Sequence, residues 1–407
     1  MSMWGAFTNS TSAMIAQNSA LNTISQNLAN VNTNSYKRVD ARFATMLSEA
    51  AGGGLDIFGV RNSQVAQIDA SGPTTQTGNT FDVAIQGEGG GFFILNTQAD
   101  GSGETLFTRD GSFQKKAIGG STDAYLVDSN GYFVQGWQAA ADGSLTATPS
   151  LGALTSVRVP TQMTVNGVAS TVVSLQANLP AGAAAPQVMG ARMVDTSFSQ
   201  KDLMMTWAPT GVNQWDVAFS VDGGTVTAPA SLAVNFDGDA HLLSPAAATP
   251  VTIQWDDGTT QTLALDLSET TQFSGHLTIE SGNDGAKLGE LVSVNFTGRG
   301  ELAGNFDNGR TTNLFKLPVA RFQATNALET RGGNLYSATA EAGDMMVAEA
   351  GNTASGSVFV PGSVEASNVD IGEEFTKMII TQKAYSSAAT VFRTADEMTV
   401  LLRDLKR

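Results

Sequence analysis

The stretch from Glu365 to Arg407 constrains the fold more than any other. It contains no proline, and Gly372 is its only glycine. Ile371, Met378, Tyr385 and Phe392 recur every seven residues, and Thr381, Ala388, Ala395 and Leu402 form a second row. Two such rows make one stripe on a helix, the seam of a coiled coil or bundle. Asp370, with Glu373 three residues on, predicts an N-cap and capping box at its start. Lys377, Lys383, Arg393, Arg403, Lys406 and Arg407 lie off the stripe or past its end, as on a wetted face. The stripe requires a partner.

The other end of the chain supplies one. No glycine occurs from Ala6 to Ala51, and the first proline is Pro73. Phe7, Met14, Leu21 and Leu28 again sit seven apart, with Ile24 and Val31 completing the upper half of the seam and Ser10 and Gln17 occupying the lower half. A helix of about 25 residues, roughly 38 Å long, is predicted here. Asn27, Asn30, Asn32 and Asn34 mark its end, because asparagine favours turns over helix interiors. The two ends are therefore predicted to form an antiparallel helical pair. Periodicity alone fits an ordinary helix pair in a globular core equally well.

A chain of 407 residues has room for two or three domains. It has no cysteine, which removes disulfides, thiol catalysis and zinc–thiolate sites. The N-terminus lacks a basic segment followed by an apolar run, so no cleavable secretory signal is expected. No stretch approaches the roughly 18 apolar residues of a membrane span. The net charge is −16, yet residues 1–70 balance four basic against four acidic groups, and residues 364–407 carry six against seven. The acidic excess thus lies in the middle of the chain, and disfavours nucleic acid or anionic membrane as a partner. Near-neutral ends suit helices that pack in many copies.

Between the helices the pattern changes. Lys37 to Asp69 reads as irregular or extended chain, with Gly52-Gly53-Gly54 as a flexible point. From Ser71 the period is two. Residues 81–85 and 92–95 read as strands around a turn at 87–91, and residues 106–113 and 124–132 continue with Asp-Gly and Asn-Gly turns. A second β-rich region begins near Ala147. In it Trp215, Val217, Phe219 and Val221 alternate with polar residues or alanine, and Val251, Ile253 and Trp255 turn through Asp257-Gly258 into Leu263, Leu265 and Leu267. The fold class that follows is mainly β, with two nested β-rich domains inserted between the terminal helices. Its parts are an N-terminal helix and extended linker (1–70), a first β domain in two pieces (71–146 and 285–362), an inserted β domain (147–284) and a C-terminal helix (363–407).

Chemical motifs are sparse. The glycines from Gly87 to Gly91 lack a Walker lysine and a following helix, so a turn is expected rather than a phosphate cradle. Ser112 and Lys115 have the spacing of a β-lactamase tetrad without its companion motifs. His241 and His276 are the only histidines, and Asp237-Gly238-Asp239 begins like a calcium loop but lacks the remaining ligands. No catalytic, cofactor-binding or metal site is predicted. A carboxylate pair acting as glycosidase acid and base is the enzymatic alternative.

Residues 27–38, Asn-Leu-Ala-Asn-Val-Asn-Thr-Asn-Ser-Tyr-Lys-Arg, resemble the N-terminal signature of the bacterial flagellar rod and hook family. Ser367-Asn368-Val369-Asp370, Glu374, Met378-Ile379, residues 382–385 and residues 394–398 resemble its C-terminal signature. Asp82-Val83-Ala84-Ile85, Phe92-Phe93 and Arg109-Asp110-Gly111 resemble the shared β motifs. Residues 265–268, 271–275 and 300–310 are similar to the hook branch, whereas rod members are shorter and lack a large second β domain. Three departures stand out: Ser35 in place of a usual glycine, Ala388 in place of a usual asparagine, and a glycine run before Phe92 that is one residue longer. A positive-φ turn at Ser35 would be strained.

The resemblance implies a structural subunit of the flagellar hook, outside the cell, with no cofactor. It would self-assemble into a curved flexible hollow tube that joins rod to filament as a universal joint. The implied partners are copies of itself, a hook cap protein, the rod and hook–filament junction proteins, and the flagellar type III export apparatus, without nucleic acid or membrane insertion. The helices would line the tube, with the first β domain around them and the inserted one outermost. The self-assembly seam would comprise Phe7, Met14, Leu21, Ile24, Leu28, Val31, Ile371, Met378, Tyr385, Ala388, Phe392, Ala395 and Leu402. A distal rod subunit and a secreted β-rich adhesin are the alternatives.

Overall fold

The computed structural model describes residues 3–49, 55–87, 90–119, 123–146, 150–351 and 356–405. The predicted flexible point at Gly52–Gly54, part of the turn before Phe92 and the basic end at Lys406 and Arg407 lie outside the described residues. Helix α1 spans Met3–Ala29 and helix α2 spans Ile371–Leu405, 27 and 35 residues of a mainly β chain. The chain forms two compact units.

The first unit comprises residues 1–161, 294–303 and 312–407. Lys37 to Asp69, read from sequence as irregular or extended chain, instead contains a long antiparallel hairpin of β1 (Val39–Glu49) and β2 (Leu55–Ala66), with a register shift at Met46/Leu47. A two-stranded ribbon is marginal alone. It is held here by α1, where Gln64 donates to the Thr23 hydroxyl (3.0 Å) and Asn62 to the Ala16 carbonyl (3.3 Å). The weak alternation of β1 and β2 hid these strands: residues 42–46 are all exposed, and the contacts just named with α1 are polar, so little of the ribbon has an apolar face to show.

The β body of this unit is closed by strands far apart in sequence. Thr74–Gln76 pairs with Ser363–Glu365, and Val83–Gln86 pairs with Val358–Pro361. Phe93–Asn96 lies between Thr105–Thr108 and Phe133–Gln138. Its core gathers Ile68, Phe92, Ile94, Phe107, Phe322, Leu328 and Tyr336, with Phe92 edge-on to both Phe322 (6.1 Å) and Tyr336 (5.6 Å). Gly111 is required there, since a Cβ would lie 1.7 Å from the Val83 carbonyl oxygen.

The second unit comprises residues 162–293 and 304–311. The expected strands at Gln214–Val221, Thr249–Trp255 and Thr260–Asp266 are present in a ten-stranded sheet. Trp207, Trp215, Val217, Ile253, Trp255, Leu263 and Leu265 share one core. Local side chains close its turns. Asp257 accepts from the Thr259 amide (2.8 Å), Asp237 from the amides of Asp239 and His241 (both 2.9 Å), and Asp195 from those of Ser197 (2.9 Å) and Ser199 (2.8 Å). Asp237 thus spends its carboxylate on a hairpin turn. Met163 and Leu291 are hydrogen-bonded (2.9 Å), so the chain enters and leaves this unit side by side.

Candidate functional site: the terminal helix pair and its junction

Helices α1 and α2 pack antiparallel. Near one end the Phe7 and Phe392 rings meet edge-on at 5.2 Å, and at the other the Asn27 amide donates to Glu374 (2.9 Å). The buried row of the pair consists of small or polar side chains: Ser10, Ala16, Ala20, Thr23, Ile24 and Asn27 on α1, and Glu374, Thr381 and Ala395 on α2. Small side chains allow close approach of two helices. Among the seam residues named from sequence, only Ile24 and Ala395 are buried. Phe7, Met14, Leu21, Leu28, Val31, Met378 and Ala388 are half-buried, while Ile371, Tyr385, Phe392 and Leu402 are exposed.

Apart from Phe392, which meets Phe7, most of the large apolar side chains of α2 face away from α1. Phe375 is 48% exposed, Ile379 55%, Ile380 62% and Leu401 62%, and Val391 and Met398 are exposed as well. At 3.6 residues per turn these positions fall on one arc of roughly 160°. An apolar face that broad normally packs against a partner. The buried row that meets α1, Glu374, Thr381 and Ala395, lies on the other side of the helix.

A polar junction fixes the pair to the β body, and the heptad pattern gave no sign of it. Asn27 uses its whole amide: Oδ1 accepts from the Val39 amide (3.0 Å) and the Tyr36 hydroxyl (3.2 Å), and Nδ2 donates to the Val39 carbonyl (2.8 Å) and Glu374. Asn368 accepts from the Arg38 amide (2.7 Å) and donates to the carbonyls of Gln67 and Ala70. Ser35 holds the expected positive φ of 56° and is fixed by a bond from its amide to the Glu365 carbonyl (2.8 Å). Asp370 caps α2 through the Glu373 amide (3.0 Å). The predicted reciprocal half of that capping box is replaced: the Glu373 carboxylate bonds Arg38 (2.6 Å) and Lys377 (3.1 Å), since two cations outcompete a single amide. These contacts hold the Glu373 carboxyl below the usual range, the Lys377 hydrogen bond first among them. Signal for this junction did exist in the sequence, in the asparagines of residues 27–34 and in Ser367-Asn368, whose side chains satisfy the backbone where helix meets strand.

Asn27→Ala is expected to cost about 1–3 kcal/mol, because it takes a partner from the part-buried backbone groups of Val39 and a donor from the buried Glu374. The urea midpoint of unfolding measures it, and an unchanged midpoint would remove Asn27 from the junction.

A β body that displays a long, incompletely covered helix pair is the construction of a structural subunit. Residues 7–37 match a family model described as flagella basal body rod protein. Residues 84–175 match the D1 domain of flagellar hook protein FlgE/F/G, and residues 360–399 match the C-terminal region of flagellar basal body rod FlgEFG protein. Flagellar hook protein FlgE of Rhizobium meliloti is 29% identical over 429 residues, covering 100% of both chains. FlgE of Brucella suis is 29% identical over 418 residues with the same coverage, and FlgE of Escherichia coli is 27% identical over 424 residues, covering 98% of this chain and 100% of its own. Over its full length the chain is thus similar to flagellar hook proteins, and the family models that match it are those of flagellar hook and rod proteins.

Proposed function

We propose that this chain is the repeating subunit of a bacterial flagellar hook, polymerising with copies of itself through α1 and α2 into a curved, flexible tube outside the cell. The observation that carries the reading is the broad exposed apolar face of α2, which α1 leaves uncovered. Burying each exposed side chain such as Ile380 or Leu401 against a neighbouring copy stabilises by roughly 1.5–3 kcal/mol, and repetition along a tube multiplies the gain. Rod and filament components at its two ends, a cap during growth and the type III export apparatus follow as partners. The full-length match to hook proteins, second unit included, favours hook over distal rod. Nothing in this role calls for catalysis. Purified chain, with no other component, is expected to form curved tubes visible by electron microscopy. Persistent monomers at high concentration and ionic strength would sink the proposal.

In the monomer, hydrogen exchange is expected to be slow at residues 24–38 and 363–374, where the junction ties the helices down. It is expected to be fast at residues 396–405, and assembly should protect those too. Uniform protection of all of α2 in a verified monomer would show that the helix needs no neighbour.

A further inference from the structure

Lys37, Arg109 and Glu365 form a buried charge cluster within the first unit that the assembly surface does not use. Their side chains are 1%, 2% and 2% exposed. Lys37 Nζ donates to Glu365 Oε1 (2.5 Å) and to the Ala70 carbonyl (2.8 Å). Glu365 Oε1 also accepts from the Gly72 amide (2.7 Å) and lies 3.7 Å from Arg109 Nη1. Arg109 donates to the Ser71 hydroxyl (3.0 Å) and sits 5.2 Å over the Phe92 ring. The cluster thereby ties together the segment after α1, the linker after β2, the β body and the strand that leads into α2.

Among the described residues its charges do not balance. Two cations there face one carboxylate in a buried site, and both Glu365 Oε2 and Arg109 Nε are buried without a partner among those residues. Among the described residues the other titratable groups around Lys37 are the carboxylate of Asp69, on the exposed linker, and the hydroxyls of Tyr336 and Tyr36; burial pushes both tyrosines up, so they stay neutral. An excess buried charge is costly, and arginine does not shed its proton. Lys37 is the member that can.

We propose that the Lys37–Glu365–Arg109 cluster is a proton-operated latch between the terminal helices and the β body, closed most firmly when Lys37 is neutral and released when Lys37 takes up a proton and turns out to water. Burial pushes the Lys37 ammonium down to about 8 from its ordinary 10.5, with Glu365 pulling the other way. The closed latch therefore holds fewer protons than the released one. Its cost is fully present below about pH 8, and the latch tightens as pH rises from there towards 10.5. The latch is a property of the single chain and does not depend on tube formation.

The test is quenched-flow hydrogen exchange on the full-length monomer, reading protection factors at residues 35–38 and 363–368 from pH 7 to pH 9.5. In the wild type the opening equilibrium is expected to fall roughly thirty-fold across that range, from the two proton affinities above. Lys37→Arg, which cannot neutralise, should stay open-prone and flat with pH. Lys37→Met should be flat and as protected as the wild type at pH 9.5. A flat wild-type profile, or parallel slopes in the wild type and Lys37→Arg, overturns the latch. If Lys37→Met fails to fold, the wild type and Lys37→Arg decide it alone.

Discussion

Removal of residues 366–407 is expected to leave the β body and the second unit folded while abolishing polymerisation. The strands that close the β body end at Glu365, and neither core draws a residue from α2. What is lost is the partner of α1 and the whole exposed apolar surface of α2, on the order of ten large side chains at roughly 1.5–3 kcal/mol each. A subtler variant separates packing from deletion. Ala395 is 6% exposed on the buried row, so Ala395→Asp would place a carboxylate there, at a cost of several kcal/mol unless it is paired. Ile380→Asp, on the face turned away from α1, should leave the monomer as stable as before and still block assembly. Circular dichroism and electron microscopy on the three variants decide the matter: tubes from the truncation would show that α2 is not the assembly core.

Excision of residues 162–293, with Thr161 joined to Val294 by a short glycine–serine linker, is expected to give polymers that form but have lost their normal curvature. The excision is feasible because Met163 and Leu291 already lie side by side. The second unit, residues 162–293 and 304–311, carries fourteen acidic and four basic groups, a net charge of about −10. Copies of so acidic a unit repel one another at low ionic strength and meet through hydrated polar contacts. Contacts of that kind bias a choice among tube shapes of nearly equal energy without holding the wall together. Salt should accordingly change curvature in the intact protein more than in the excised form. Loss of polymerisation in an excised chain whose first unit remains folded would make the second unit part of the assembly core.

The helices and hairpins were legible in sequence because their signals are local. The sevenfold repeat from Ile371 to Leu402 and the alternation around Trp215 and Trp255 each report a periodic element directly. The hairpin of β1 and β2 escaped because much of it is exposed and leans on α1 through polar contacts, leaving no buried face to impose strict alternation. Within the helix pair, apolar size misdirected attention. Phe392 and Tyr385 marked the periodicity, yet apart from the Phe7–Phe392 pair the buried contact is made by small side chains such as Ala16, Ala20, Thr381 and Ala395, and residues such as Ile380 and Leu401 are the ones left over for neighbours. The asparagines signalled a junction, but its partners could not be matched, for a different reason. Asn27 and Glu374, or Lys37 and Glu365, are more than 300 positions apart, and no periodicity links them.

The pairing of Thr74–Gln76 with Ser363–Glu365, and of Val83–Gln86 with Val358–Pro361, also sets a timetable. Each pair closes a loop of more than 270 residues, so it is entropically late, whereas the hairpins of the second unit join neighbours within about ten residues. A chain delivered from its N-terminus completes those hairpins while its own β body still waits for strands not yet delivered. The first unit can therefore close only on a chain whose C-terminal region has arrived, and any chain that stops short leaves two strand edges open. Completeness of the polypeptide is written into the order in which it folds.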